Sequence, residues 1–150
     1  MKMKRFSLVL VVLTVFALLL TGCTKNEDKK EGSAEFNYRT AEEVKANIEN
    51  NDDIILLDIQ PEDAWNEHHI QGAIPTHAYP VETEEDKAKF DGVMSDLESS
   101  EAPIIIVCPG GKKGAERTYK YLLEKGIKED RLFILENGQN GWPYDELLEK

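Results

Sequence analysis

Four consecutive branched apolar residues, Ile104-Ile105-Ile106-Val107, end in Cys108 and run through Pro109-Gly110-Gly111-Lys112-Lys113-Gly114 into a segment with helical periodicity. This stretch restricts the fold more than any other. A short run that is apolar at every position reads as a strand covered on both faces, the kind found in parallel sheets. A cysteine at the end of such a strand, before a glycine-rich loop that opens a helix, meets backbone N–H groups and the positive end of the helix. Those surroundings favour a thiolate and an anion beside it. Cys108 is therefore the candidate nucleophile. The competing reading is a small buried hydrophobe at a strand end, and the glycine loop that follows argues against it.

The rest of the domain repeats the alternation of short apolar runs and amphipathic segments. Thr40-Ala41-Glu42-Glu43 reads as a capping box, with Val44 and Ile48 on the buried stripe of the helix it opens. Ile54 to Ile59 is a second buried strand, and Pro61 suits the start of a helix through about His68, with Ala64 and Trp65 inward. Gly72-Ala73-Ile74-Pro75 leads into an extended stretch near Thr76–Ala78. From Glu84 to about Ser99, Phe90, Val93, Met94 and Leu97 share one helical face. A helix from about Gly114 to Lys125 buries Ala115, Tyr119, Leu122 and Leu123 and stops at Gly126. Leu132 to Leu135 is a further strand, and Tyr144 to Leu148 a terminal helix. The pattern predicts an α/β fold: a three-layer domain with a mainly parallel central sheet flanked by helices. Ligands of such sheets sit off the carboxyl ends of the strands, where Cys108 lies.

The N-terminus carries Lys2, Lys4 and Arg5, then a fifteen-residue apolar run from Phe6 to Leu20 broken only by Ser7 and Thr14, then Thr21-Gly22-Cys23. Basic, apolar and small-residue parts in that order make a secretory signal over residues 1–22. A membrane-spanning anchor is the alternative, although the run is shorter than the ~20 residues a spanning helix needs. Leu20-Thr21-Gly22-Cys23 resembles the lipobox of bacterial lipoproteins. That resemblance implies cleavage before Cys23, a diacylglycerol on its sulfur and a second acyl chain such as palmitate, which together anchor stably. Residues 23–33 then form the lipidated cysteine and a flexible polar tether, and residues 34–150 one domain. The expected location is the cell membrane, facing outside the cytoplasm.

With Cys23 lipidated, Cys108 is the only free thiol of the mature chain and has no partner for an internal disulfide. Loss of residues 1–22 leaves 15 basic against 29 acidic side chains, a formal charge of −14. Nucleic acid is a poor partner for that surface.

Three motifs in order resemble the rhodanese family across nearly all of residues 36–146. They are Leu57-Asp58-Ile59-Gln60 with Trp65 and His69-Ile70-Gln71-Gly72-Ala73-Ile74-Pro75; then Cys108 with Gly111 and Ala115; then Leu135-Glu136-Asn137-Gly138 with Trp142. The resemblance implies a single rhodanese-like domain and a sulfurtransferase. In that chemistry Cys108 takes sulfane sulfur from thiosulfate or a persulfide and passes it to a thiol or cyanide, with no metal and no organic cofactor. Its partners would be a small sulfur-containing anion or persulfide, a possible protein sulfur acceptor, and the membrane through the lipid. The amides of Gly110, Gly111, Lys112 and Lys113 would hold the persulfide as an anion nest.

Lys113 stands where the family's loop commonly ends in arginine, keeping the charge without the planar fork. Pro109 contributes no N–H. Gln60 replaces the arginine of the first motif while Ala64 replaces a frequent glutamate, a paired loss expected to be structurally neutral. Asn137 in the closing motif tolerates left-handed backbone. These departures keep open a binding module without turnover. A phosphatase of the related fold would need an arginine at Gly114, whereas Arg117 lies a turn further on. His69 is expected to pack and hydrogen-bond rather than act as a base, His68 and His77 to be surface residues, and Trp65 and Trp142 to line the core or a pocket wall.

Overall fold

The computed structural model describes residues 35–150; the signal segment, Cys23 and the tether lie outside the described residues. In chain order the elements are β1 (Tyr38–Arg39), α1 (Ala41–Glu49), β2 (Ile55–Asp58), α2 (Glu62–Glu67), β3 (His69–Ile70), β4 (Ile74–Pro75), α3 (Glu84–Ala88), α4 (Asp91–Ser99), β5 (Ile104–Val107), α5 (Lys113–Glu124), β6 (Leu132–Leu135) and β7 (Leu148–Glu149). Five strands form one parallel sheet in the order β1-β6-β5-β2-β4. The expected mainly parallel α/β architecture is what the chain adopts.

Side-chain alternation along β5 divides the core in two. Ile104, Ile106 and Cys108 join Leu57, Ile59, Phe90, Met94, Leu97, Ala115, Tyr119 and Leu122 on one face. Ile105 and Val107 join Val44, Leu56, Ile70, Leu135 and Trp142 on the other. Helices α4 and α5 cover the first face, and α1 with the closing segment covers the second. Burial on both sides is the reason β5 is apolar at every position.

Local sequence explains the helix starts. Thr40 accepts from the Glu43 N–H while the Glu43 carboxylate accepts from the Thr40 N–H, the expected reciprocal cap. Thr83 and Asp86 form a second box at α3. Helix α2 begins one residue later than expected, with Pro61 at its cap position.

Four expectations are corrected. The segment Glu84–Ser99 is two helices, because the Lys89 and Phe90 N–H groups bond three residues back, to Asp86 and Lys87. That tight turn re-aims the chain and buries Phe90 completely. The terminal segment is a 3-10 turn over Asp145–Leu147 followed by β7, which pairs antiparallel with β3 in a separate two-stranded sheet. The extended stretch forms its strand earlier than expected, at Ile74–Pro75. In α5, Thr118 and Tyr121 are buried and Leu123 only partly so. Among the described residues, no helix is long and apolar enough to cross a membrane.

Candidate active site

Cys108 directly follows β5 at the carboxyl end of the sheet, is 1% exposed and forms no disulfide. The loop behind it curls so that the Gly111 N–H donates to Cys108 Sγ at 3.0 Å. Gly111 reaches that position with φ +64, a backbone that favours glycine. Of the four amides expected around the sulfur, Gly111 makes the direct contact. Lys112 ends the loop and Lys113 opens α5, a 12-residue helix with no side-chain cap at its N terminus. Its leading N–H groups are left free for an anion.

A second loop fixes the first. A Cβ on Gly111 would lie 2.7 Å from the nitrogens of Asn137 and Gly138 and from the Leu135 oxygen. A Cβ on Gly138, itself at φ +58, would overlap the Cys108 carbonyl oxygen and stand 2.5 Å from the Gly111 nitrogen. The Gln139 N–H donates to the Cys108 oxygen at 2.8 Å, and the Asn140 N–H to the Pro109 oxygen at 2.9 Å. Pro109 therefore lacks a donor but still anchors the loop through its carbonyl. Gln139 is 3% exposed, and neither its Oε1 nor its Nε2 has a hydrogen-bond partner within the protein. The closing motif resembles the family's without revealing this bracing role in the sequence; its one local signal is the Asn137-Gly138 pair, both at positive φ.

The other wall of the sheet end is polar and buried. Asp58, at the end of β2 and in register with Val107, accepts from Gln60 N at 2.7 Å and from Gln60 Nε2 at 3.0 Å. Burial pushes its carboxyl up to about 6, while the Gln60 hydrogen bonds and the charges of His69 and His77 pull the other way. Gln60 is thus a partner of Asp58. This is a role that reasoning from the missing arginine and glutamate did not supply. His69 is buried, stacked on Trp65 with centroids 3.6 Å apart and with Nδ1 at 3.1 Å from the Trp65 oxygen. His77 is half-buried with Nδ1 3.2 Å from the Gln60 oxygen, correcting the expectation of a surface residue, and His68 is half-buried as well.

Charge is distributed unevenly around the cysteine. Among the described residues, Lys112 and Lys113 have no carboxylate, carbonyl or ring partner. Every other lysine and arginine before Lys150 has one or an amide contact. Arg117 is held by Glu82 at 2.8 Å and by the Pro80 oxygen at 3.1 Å, so it is not a free substrate clamp. No group of three or more His, Cys, Asp or Glu side chains among the described residues is placed to hold a metal ion.

A parallel α/β sheet whose central strand delivers a cysteine into a glycine loop at a helix N terminus without a side-chain cap is an arrangement that can hold a thiolate with an anion beside it. The Rhodanese-like domain model matches residues 40–144, and the chain belongs to that family. No curated protein matches the chain. The BH2092 protein from Bacillus halodurans is similar at 22% identity and TM-score 0.59, over 75% of this chain and 76% of that one. A rhodanese-like domain protein from Staphylococcus aureus is similar at 24% identity and TM-score 0.53, over 76% and 97%. The reduced Bacillus anthracis CoADR-RHD matches 77% of this chain at 21% identity and TM-score 0.52, but the match spans only 18% of its length. At these identities the likeness is one of fold.

Proposed function

We propose that the protein is a sulfurtransferase that carries sulfane sulfur as a persulfide on Cys108. One observation carries the proposal: the glycine loop closes on the cysteine sulfur, with the Gly111 N–H 3.0 Å from Sγ. A thiolate at Cys108 attacks the outer sulfur of thiosulfate; the S–S bond to the sulfonate breaks and sulfite leaves with the bonding pair. The loop amides and the free N terminus of α5 would hold the charge on the outer sulfur, and Lys112 and Lys113 would draw the doubly negative donor in. In the second half, an acceptor thiolate or cyanide attacks the same outer sulfur and Cys108 leaves as thiolate. No oxidant or reductant is consumed.

Mass spectrometry of residues 24–150 after incubation with thiosulfate tests this. One added sulfur atom is expected on wild type and none on Cys108→Ser. Equal uptake by both proteins, or uptake by neither, overturns the proposal, and the second result favours a binding module without turnover. The Leu20-Thr21-Gly22-Cys23 motif supports a further part of the reading, that the domain is held by lipid on Cys23 at the outer side of a bacterial membrane. Metabolic labelling with a palmitate analogue should mark the full chain and fail to mark Cys23→Ser; labelling of both rules it out.

A further inference from the structure

The described residues expose two large hydrophobic side chains, Tyr38 at 43% and Tyr79 at 40%. Both lie against the Cys108 loop, and they approach it from opposite sides. Tyr38, on edge strand β1, shares a hollow of about 260 Å³ with Gly110, Gly111, Lys112, Glu136 and Asn137. Tyr79 is tied to the end of β2 through its N–H to the Ile59 oxygen at 2.8 Å. Its ring lies over the first turn of α5, where a Cβ on Gly114 would stand 2.9 Å from it. The unpartnered pair Lys112-Lys113 runs from the Tyr38 hollow to the residue under Tyr79. A Cβ on Gly110, at the same mouth, would meet nothing. Its backbone is thus left bare toward the outside, although no packing or positive φ demands glycine there.

Exposed tyrosines are enriched in protein-recognition patches, where they contribute contact area at low entropic cost, and the unpaired lysines between them favour a partner of negative charge. Strand order puts β1 and β2 three spacings apart, about 14 Å at ~4.8 Å per strand. An extended peptide of about four or five residues crosses that distance. A cyanide ion or a thiosulfate is too small to touch both rings across such a span. Burial raises the Tyr38 hydroxyl pKa, and the nearby Glu116 and Glu136 carboxylates raise it further.

We propose that the Tyr38–Tyr79 rim is a docking surface for a polypeptide sulfur acceptor, an extended cysteine-bearing segment with carboxylates beside its thiol and apolar residues on either side. The inference rests on the sulfur-carrying reading of Cys108 and adds the acceptor's class to it. The bound segment places its thiolate at the outer sulfur of the Cys108 persulfide, that S–S bond breaks, and the segment leaves as the persulfide.

The test uses fluorescein-labelled heptapeptides with a central serine, flanked by glutamates in one and by lysines in the other, with phenylalanine at both ends. Fluorescence anisotropy should show the glutamate peptide binding more tightly than the lysine peptide. Its affinity should fall roughly fivefold or more in Tyr38→Ala and in Tyr79→Ala, and fall again in Lys112→Glu. Equal affinity for the two peptides, or affinity untouched by both tyrosine substitutions, overturns the surface. The serine peptides need no persulfide, so failure of wild type to take sulfur from thiosulfate refutes the sulfur-carrying reading while the titration still decides the surface. With the central serine replaced by cysteine, the glutamate peptide should discharge the wild-type persulfide faster than the lysine peptide; equal rates refute the acceptor assignment even where binding is seen.

Discussion

Replacing Asp58 with asparagine should stabilise the domain at pH 8 and change little near pH 4. The carboxyl is fully buried, and burial lifts its pKa from 3.8 to about 6 against the pull of Gln60, His69 and His77. The unfolded chain therefore gives up this proton near the lower value and the folded chain near the higher one. Between them the folded state holds more proton, so Asp58 lowers stability progressively as pH rises through that window, and the loss is complete above it. About two pH units, at roughly 1.36 kcal/mol each, give about 3 kcal/mol. Asparagine keeps the oxygen that accepts from Gln60 N at 2.7 Å, and a reversed Gln60 amide can accept from the new NH₂ at the 3.0 Å position. Urea unfolding followed by the fluorescence of Trp65 and Trp142 reads the difference. At pH 8 the variant midpoint should lie roughly 2 M above wild type for an m-value of about 1.5 kcal/mol/M, and near pH 4 the two curves should nearly coincide. A variant less stable than wild type by the same amount at both pH values would refute the argument, because the carboxylate would then contribute geometry alone.

Three further outcomes test the site. Gly138→Ala drives a Cβ into the Cys108 carbonyl oxygen at a φ of +58, so it should cost about 2 kcal/mol or more in thermal unfolding and reduce persulfide formation even in the folded fraction. Gln139→Leu replaces an amide with two unpartnered buried atoms and should raise stability by about 1 to 2 kcal/mol in the same urea assay. Lys113→Arg adds a planar fork at the first residue of α5 and should increase the rate of thiosulfate loading at sub-saturating donor; an unchanged rate means that grip on the donor does not limit transfer.

Elements determined by near neighbours in sequence were readable from it. The Thr40–Glu43 cap and the stop at Gly126, which adopts φ +92, depend on contacts within one or two turns. Strands β2, β5 and β6 pair with distant strands, yet at four residues each they are long enough to show as apolar runs; shorter elements defined by distant partners were not readable. Strands β1, β3 and β7 have two residues each, too short to show a period, and exist because Tyr38 meets Ile134 and Ile70 meets Leu148. The same holds for Tyr144–Leu148, where helical spacing was outweighed by pairing with β3 and by the Gln71 N–H bonding to the Leu147 oxygen at 2.8 Å. In Glu84–Ser99 the apolar positions fit one helix, yet burying Phe90 required a break that periodicity does not register.

The site divides along the same line. Cysteine, glycines and helix start are contiguous, so the loop was legible; the reason it holds its shape is not contiguous. Because β6 lies beside β5 in the sheet, the turn after Leu135 emerges next to Cys108 and lends two N–H groups, to the Cys108 and Pro109 carbonyls. Gly111 and Gly138 then occupy each other's Cβ space, each at positive φ. A side chain at either position opens the same gap, so residue 138 controls the Gly111 N–H that faces the sulfur as directly as residue 111 does. The donor missing at Pro109 matters less than its sequence suggests, because its carbonyl is pinned by Asn140. The cradle around Cys108 Sγ is therefore made by two adjacent strand ends, and the chemistry proposed for it depends on their register as much as on the cysteine motif.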